Sequence, residues 1–128
     1  MREVSFKKLI KRAGLYYFPG DEQPFSGRAI SYFTLFFIPT KKVKSRLVLE
    51  NGEMHGEYLS YYRNGHIREK GHFKFGQKHS EWLCYYLDGE LKSRYSWFDG
   101  KKHGEWIWYY ESGKIMYKYN YIHGERKK

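Results

Sequence analysis

The sequence predicts a mainly β protein, built as one elongated antiparallel sheet of stacked β-hairpins of about 24 residues each. Three observations predict this fold. Glycines recur 24 residues apart at Gly52, Gly76, Gly100 and Gly124. Aromatic residues make up 21% of the chain, and runs such as EWIWYY favour strands over helices. Turn-forming pairs such as Asn-Gly and Asp-Gly separate these runs.

Many other positions follow the same period, which indicates a repeat architecture. We place the array over residues 14–128, with units at about 25–51, 52–75, 76–99 and 100–124. The first unit is degenerate and carries extra residues within TLFFIPTKK. The repeated positions are Gly65, Gly89 and Gly113; His55, His79 and His103; Glu57, Glu81 and Glu105; and the tyrosine pairs 61–62, 85–86 and 109–110.

Each unit is predicted to form one hairpin with a tight turn. Asn64-Gly65, Asp88-Gly89 and Ser112-Gly113 predict two-residue type I′ turns, which require positive φ at both central residues. Such a turn pairs Tyr86 with Leu91 and the equivalent residues of the other units. The second connection, as in GKKHG, is predicted to be a longer polar loop with glycine at both ends.

The first 13 residues are predicted to form a basic N-terminal cap that covers one edge of the sheet. Val4, Phe6, Leu9 and Ile10 can share one helical face, so we expect a short helix over about residues 2 to 12.

Side-chain alternation sorts the hairpins into two faces. One face is strongly aromatic and predicted to be buried; it includes Trp82, Cys84, Tyr86, Leu91, Ser93, Tyr95, Trp106, Trp108, Tyr110, Ile115, Tyr117 and Tyr119. The other face mixes aromatic, aliphatic and basic residues, and is the predicted partner-binding surface: Leu59, Tyr61, Arg68, Lys70, Leu83, Tyr85, Lys92, Arg94, Ile107, Tyr109 and Lys118. Aromatic surface beside arginine is typical of binding hot spots. The alternative is that the basic side chains only keep the sheet soluble while their stems cover apolar atoms.

The repeated histidines and glutamates do not predict an active site. Equivalent positions of neighbouring hairpins lie two strands, about 9.5 Å, apart. One metal ion cannot reach ligands at about 2.1 Å on both hairpins. The glutamates could reach the separation used by inverting glycosidases, but their recurrence follows the repeat and needs no catalysis. We therefore expect no enzyme activity, no metal and no cofactor, with the histidines structuring loops and Cys84 in the core.

Composition limits the compartment and the partners. The net charge is +10, which favours acidic partners, and the single cysteine excludes an intrachain disulfide. The densest apolar run, YFTLFFIP, is too short to span a membrane, and the N-terminus lacks a signal-peptide core. We expect a cytoplasmic protein.

The repeated segments resemble the MORN repeat in its bacterial variant form. WFDGKKHGEWIWYYESGKI (97–115) is the clearest copy, and FKFGQKHSEWLCYYLDGEL (73–91) departs from it by Ser80 in place of the second glycine. LENGEMHGEYLSYYRNGHI (49–67) has Leu49 in the aromatic position, and GLYYFPGDEQPFSGRAISYF (14–33) is similar to the leader of such arrays. The resemblance implies a non-catalytic scaffold of hairpins. Bacterial relatives are often grouped as YwqK-type antitoxins of toxin–antitoxin pairs, and eukaryotic relatives are associated with membrane junctions and anionic phospholipids.

Four kinds of partner remain open. An acidic or membrane-active protein, such as a cognate toxin, agrees best with the resemblance and the charge. An anionic membrane surface is the second candidate, and single-stranded nucleic acid is the third. The exposed edges of the sheet also allow self-association.

Overall fold

The computed structural model describes residues 1–127 and confirms the predicted mainly β fold. Eleven strands form one sheet in the order β1-β4-β5-β6-β7-β8-β9-β11-β12-β13, with β10 also paired to β9, while β2 and β3 form a separate hairpin. The last residue of the predicted array, Lys128, lies outside the described residues. The strands are β1 (Glu3–Ser5), β2 (Ile10–Arg12), β3 (Leu15–Tyr17), β4 (Gly27–Leu35), β5 (Ile38–Glu50), β6 (Glu53–Tyr61), β7 (Ile67–Lys74), β8 (Gln77–Tyr85), β9 (Leu91–Phe98), β10 (Lys101–Lys102), β11 (Gly104–Tyr109), β12 (Ile115–Ile122) and β13 (Glu125–Lys127).

The predicted N-terminal helix is wrong. β1 runs parallel to β4, Phe6–Lys8 forms a single 3-10 turn, and β2 pairs with β3. The edge of β4 offers unpaired backbone groups, and the extended N-terminus satisfies some of them: Arg28 N–H donates to the Arg2 carbonyl at 2.7 Å. The apolar spacing that fits a helix thus serves an extended chain that covers the sheet edge.

The main hydrophobic core lies where this cap packs against the first hairpin. Its buried residues are Leu9, Phe25, Ala29, Leu47 and Leu49. The start of the first unit is also tied to the next turn, because Gly52 N–H donates to the Phe25 carbonyl at 2.8 Å. The cap therefore closes the N-terminal end of the array.

The two kinds of turn are exchanged relative to the prediction. Two-residue turns with positive φ at both positions, the type I′ pattern, join consecutive hairpins at Asn51-Gly52, Phe75-Gly76, Asp99-Gly100 and His123-Gly124. Within the unit, Tyr62 N–H instead donates to the His66 carbonyl at 2.9 Å, so three residues, 63–65, form the turn. Asn64 keeps a negative φ, and only Gly65 has positive φ, at 92°.

A side-chain hydrogen bond explains why the three-residue turn forms here. Asn64 Oδ1 accepts from His66 N–H at 2.9 Å, and Asp88 Oδ1 accepts from Glu90 N–H at 3.0 Å. This short-range bond is typical of Asn and Asp in turns and does not require positive φ. Both connections of the repeat carry Asn-Gly or Asp-Gly pairs, so the pairs alone do not distinguish them.

The predicted register is confirmed in the body of each hairpin and shifts near the turn. Trp82 opposes Tyr95 and Cys84 opposes Ser93, as predicted, but Tyr85 rather than Tyr86 opposes Leu91. A β-bulge between Cys84 and Tyr85 causes the shift, and the equivalent bulges occur in the hairpins on either side. A bulge places two residues of one strand opposite one residue of the other, so alternation fails there.

Hydrogen bonds between equivalent positions join the hairpins. The Tyr62 hydroxyl donates to the Tyr85 carbonyl at 2.6 Å, and the Tyr86 hydroxyl donates to the Tyr109 carbonyl at 2.7 Å. Gly76 N–H donates to the Met54 carbonyl at 2.8 Å. Tyr62 and Tyr86, the second tyrosines of the first two pairs, and the turn glycine Gly76 are thus architectural.

The aromatic face packs ring against ring. Trp82 is 1% exposed, contacts Tyr58 and Phe73, and its indole lies against Gly71, where an added Cβ would be 2.1 Å from the ring. The Lys78 ammonium covers this ring at 4.7 Å from its centre. Burial is weaker in the last hairpin, where the predicted core residues Tyr110, Ile115 and Tyr117 are more than half exposed and the neighbouring strand β13 has three residues.

Candidate binding face

The mixed face carries one continuous row of alternating aliphatic and basic residues. Arg46 opposes Leu59, Leu59 opposes Lys70, and Lys70 opposes Leu83. The row continues through Arg94 and Ile107 to Lys118. Directly opposed side chains lie about 4.5–5.5 Å apart at their Cβ atoms, so each aliphatic residue sits between two basic ones. We call this row the ladder: Arg46, Leu59, Lys70, Leu83, Arg94, Ile107 and Lys118.

The ladder differs in exposure along its length. Leu59 and Leu83 are half-buried, whereas Ile107 is 3% exposed. Ile107 lies between Arg94 and Lys118, whose charged ends both approach Glu105. The stems of the two basic residues therefore cover Ile107, which is the solubilising role that long basic side chains play on an exposed sheet. Ile107 is unavailable as a direct contact for a partner.

Ion pairs neutralise the C-terminal end of the ladder. Lys118 Nζ lies 2.9 Å from Glu105, and Arg94 lies 3.8 Å from both Glu81 and Glu105. The hydrogen bond and charge of Lys118 lower the pKa of Glu105 below its ordinary value. This carboxylate is consequently ionised at neutral pH and offsets the positive charge beside it.

The N-terminal end of the ladder keeps its positive charge. Among residues 1–127, no ion pair within 4.0 Å involves Arg46 or Lys70. Both side chains are exposed. Glu57 shares a shallow depression with Arg46 and Leu59 but forms no such pair with them. Positive charge and half-buried leucines therefore coincide between β5 and β8.

Two predicted binding residues lie on the other face. Arg68 Nε donates to the Ser60 hydroxyl at 3.4 Å, and Lys92 Nζ lies 5.7 Å from the centre of the Tyr86 ring. Both partners belong to the aromatic face. The bulges explain this reversal, because Arg68 and Lys92 are the extra residues that they insert.

The same bulges bring aliphatic residues to the first tyrosine of each pair. Tyr61 opposes Ile67, Tyr85 opposes Leu91, and Tyr109 opposes Ile115. The predicted tyrosine column thus has aliphatic neighbours where basic ones were expected. Arg46 was missing from the predicted surface, although the alignment of VKSRLVLENG with the second strand of the next unit places it in the column of Lys70.

The repeated histidines and the cysteine have structural surroundings. His55 Nδ1 accepts from Phe75 N–H at 3.1 Å, and His103 Nδ1 accepts from His123 N–H at 3.2 Å, so both fix the turn that follows their hairpin. His79 Nδ1 is buried and has no hydrogen-bond partner among the described residues. No cluster of three or more potential metal-ligating side chains occurs in residues 1–127.

Burial raises the pKa of the Cys84 thiol, which makes it a poor nucleophile at neutral pH.

Comparison with known families finds a match for two parts of the repeat array. Two segments, residues 54–75 and 102–127, match the model of the MORN repeat variant. They comprise β6 with β7 and β11 with β12 and β13, and between them lies the hairpin in which Ser80 replaces the repeated glycine. No curated protein and no solved structure matches the chain. No helix in residues 1–127 has the length and apolarity to cross a membrane. Both segments are similar to the MORN repeat variant, and MORN repeats are generally non-catalytic binding repeats, often associated with membranes or phospholipids.

Proposed function

We propose that this protein is a non-catalytic scaffold that binds an acidic protein partner through the N-terminal half of the ladder. The observation that carries the proposal is the pairing of exposed, un-neutralised Arg46 and Lys70 with half-buried Leu59 and Leu83 in one row. Complementary charge steers such a partner and fixes its orientation, while the leucines supply apolar contact.

The resemblance to YwqK-type proteins gives this proposal its finer form. In that form the partner is a cognate toxin, and the protein acts as an antitoxin or immunity protein by covering an acidic or membrane-active surface. Inhibitors of nucleases commonly mimic the acidic substrate, so the charge of +10 disfavours a nuclease as the toxin.

Charge reversal on the ladder tests the proposal. The wild-type protein and the Arg46→Glu/Lys70→Glu variant serve as baits in the native host, and retained proteins are identified by mass spectrometry. We expect a partner that the wild type retains and the variant loses. The control, Lys101→Glu/Lys114→Glu, makes the same change in net charge at exposed positions outside the ladder and should retain the partner.

Two results would refute the assignment of the face. One is a specific partner retained equally by the wild type and the ladder variant. The other is a loss of the partner in both variants, which would indicate non-specific attraction by total charge. Thermal melts of all three proteins should agree closely, because surface substitutions of this kind change stability by about 0.5 kcal/mol or less.

A further inference from the structure

The first hairpin ends in an exposed apolar tip unlike any other turn of the array. Phe36 and Phe37 form its two-residue turn and are 86% and 98% exposed. Leu35 and Ile38, which pair directly beneath them, are 57% and 66% exposed. We call residues 35–38 the tip. Contiguous apolar surface of this kind marks a site of interaction rather than a part of the core.

The backbone of the tip is strained because two bulky residues occupy a turn geometry that suits asparagine and glycine. Phe36 and Phe37 have φ of 49° and 66°, in the left-handed region that bulky residues rarely adopt. The other type I′ turns of the array place glycine at the second position, as in Asn51-Gly52. Strain that brings no packing in return is characteristic of functional positions.

The tip also projects beyond the sheet. The last residue of β5 paired with β6 is Ser45, so within residues 1–127 the segment 38–44 has only β4 as a neighbouring strand. On β4, four residues (32–35) follow Ser31, the partner of Ser45, and place the turn about 13 Å beyond the last pair with β6. Arg63, from the turn that follows β6, reaches this ribbon next to the tip and donates to the Thr34 carbonyl at 3.0 Å. The tip can therefore contact a flat surface that the sheet itself does not touch.

The chain on either side of the tip carries basic residues and no acidic ones. Residues 23–49 contain five basic residues and no acidic one. Lys41, Lys42 and Lys44 follow the tip on β5 and are exposed. Aromatic side chains at a leading edge with lysines behind them match the layers of a bilayer surface, where apolar groups enter below the level of anionic headgroups.

We propose that the tip inserts into the surface of a bilayer that contains anionic lipid, with Lys41, Lys42 and Lys44 contacting the headgroups. This site lies outside the two segments that match the MORN variant and is separate from the ladder. A protein that held its partner by the ladder and the bilayer by the tip would place that partner at the membrane.

Sedimentation with phosphatidylcholine vesicles, with and without phosphatidylserine, tests the proposal. The wild type should bind the phosphatidylserine vesicles, and binding should weaken as salt is added. The variant Phe36→Asn/Phe37→Gly gives the turn residues that suit type I′ geometry, so it should fold while losing the apolar tip. We expect its vesicle affinity to fall about 100-fold, about tenfold for each phenylalanine removed from the bilayer.

Matched variants distinguish the tip from exposed aromatic residues elsewhere and from total charge. Phe75→Asn changes another exposed phenylalanine in a type I′ turn and should leave vesicle binding unchanged. Lys41→Gln/Lys42→Gln/Lys44→Gln should lower affinity about fivefold per lysine at low salt. The ladder variant Arg46→Glu/Lys70→Glu should still respond to removal of the tip, so failure of the proposed function and failure of this inference can be told apart.

Two results would overturn the inference. The first is absence of vesicle binding by the wild type, or equal binding by the wild type and the tip variant. The second is concentration-dependent self-association, measured by sedimentation equilibrium, that the tip variant loses while neither protein binds vesicles; this would assign the tip to contact between copies of the chain.

Discussion

The turns that join consecutive hairpins and the turn within the first hairpin have the same backbone geometry, but their residues differ in how well they suit it. Asn51-Gly52 and Asp99-Gly100 meet the demand for positive φ with residues that tolerate it, and their glycines donate hydrogen bonds to neighbouring units. Phe36-Phe37 meets the same demand with two bulky residues that remain in solvent. Residues at the repeated positions stabilise the sheet. Residues that depart from the repeat, such as Phe36 and Phe37, mark places where the fold is less stable than the repeat would make it.

The largest expected difference between the two regions concerns a buried indole and an exposed phenyl ring. Trp106 is 6% exposed, and its Nε1 donates to the Ser96 carbonyl at 2.8 Å. Trp106→Ala should lower the free energy of unfolding by about 3–5 kcal/mol, measured by urea denaturation. Phe37→Ala, the control, should change it by less than about 0.5 kcal/mol. Similar losses of unfolding free energy in Trp106→Ala and Phe37→Ala would contradict the distinction between the packed array and the exposed tip.

Gly71 sharpens the comparison because it serves packing rather than turn geometry. An added Cβ would lie 2.1 Å from the Trp82 ring, so Gly71→Ala should cost about 1–3 kcal/mol by overpacking. In the background of Trp82→Ala the same change should cost little, since the ring is gone. The measurement is a double-mutant cycle of unfolding free energies; simple additivity would show that the clash is not the cause.

Ser80 is a departure from the repeat inside the array. Its φ is 64°, whereas the equivalent Gly56 and Gly104 have 111° and 92°. Ser80→Gly should therefore raise the free energy of unfolding by about 0.5–1 kcal/mol through relief of strain. Gly104→Ser is the reverse control and should destabilise, because an added Cβ lies 3.1 Å from Ser96 Cβ. A destabilised Ser80→Gly variant would mean that the serine side chain has a structural role.

The smallest expected effect is electrostatic and lies at the neutralised end of the ladder. Lys118 lowers the pKa of Glu105 in the folded protein, so this pair stabilises the fold above the ordinary carboxylate pKa. The contribution is lost as the pH falls through the lowered pKa. Lys118→Gln should flatten the acid side of a plot of melting temperature against pH, whereas Lys114→Gln should not. Identical acid profiles for Lys118→Gln and the wild type would contradict this coupling.

The repeat predicts the fold and the strand register in the body of each hairpin. It does not predict the bulges or the extended N-terminal segment, which depend on local features of the sheet. Periodic glycines and aromatic runs predict stacked hairpins, and Trp82 opposes Tyr95 as alternation requires. Alternation failed at the bulges, which carry no distinctive residue, so Arg68 and Lys92 were placed on the wrong face. The N-terminal helix failed because one apolar spacing fits both a helix and an extended edge strand.

The sequence predicts only part of the candidate site. The columns of the ladder follow from the repeat, and a longer alignment reaches Arg46. Which basic residues remain un-neutralised depends on side-chain contacts such as Lys118 with Glu105, which no spacing reveals. The tip was visible as extra residues within TLFFIPTKK, but its strain and exposure needed the backbone.

The most direct test of a functional tip compares the unfolding free energy of the wild type with that of Phe36→Asn/Phe37→Gly. If the tip is retained at a cost to folding, this variant should be more stable, by about 1 kcal/mol, because strain is relieved and no buried contact is lost. A decrease of similar size would show that the two phenylalanines support the fold, which would contradict the separation of structural repeats from a functional tip.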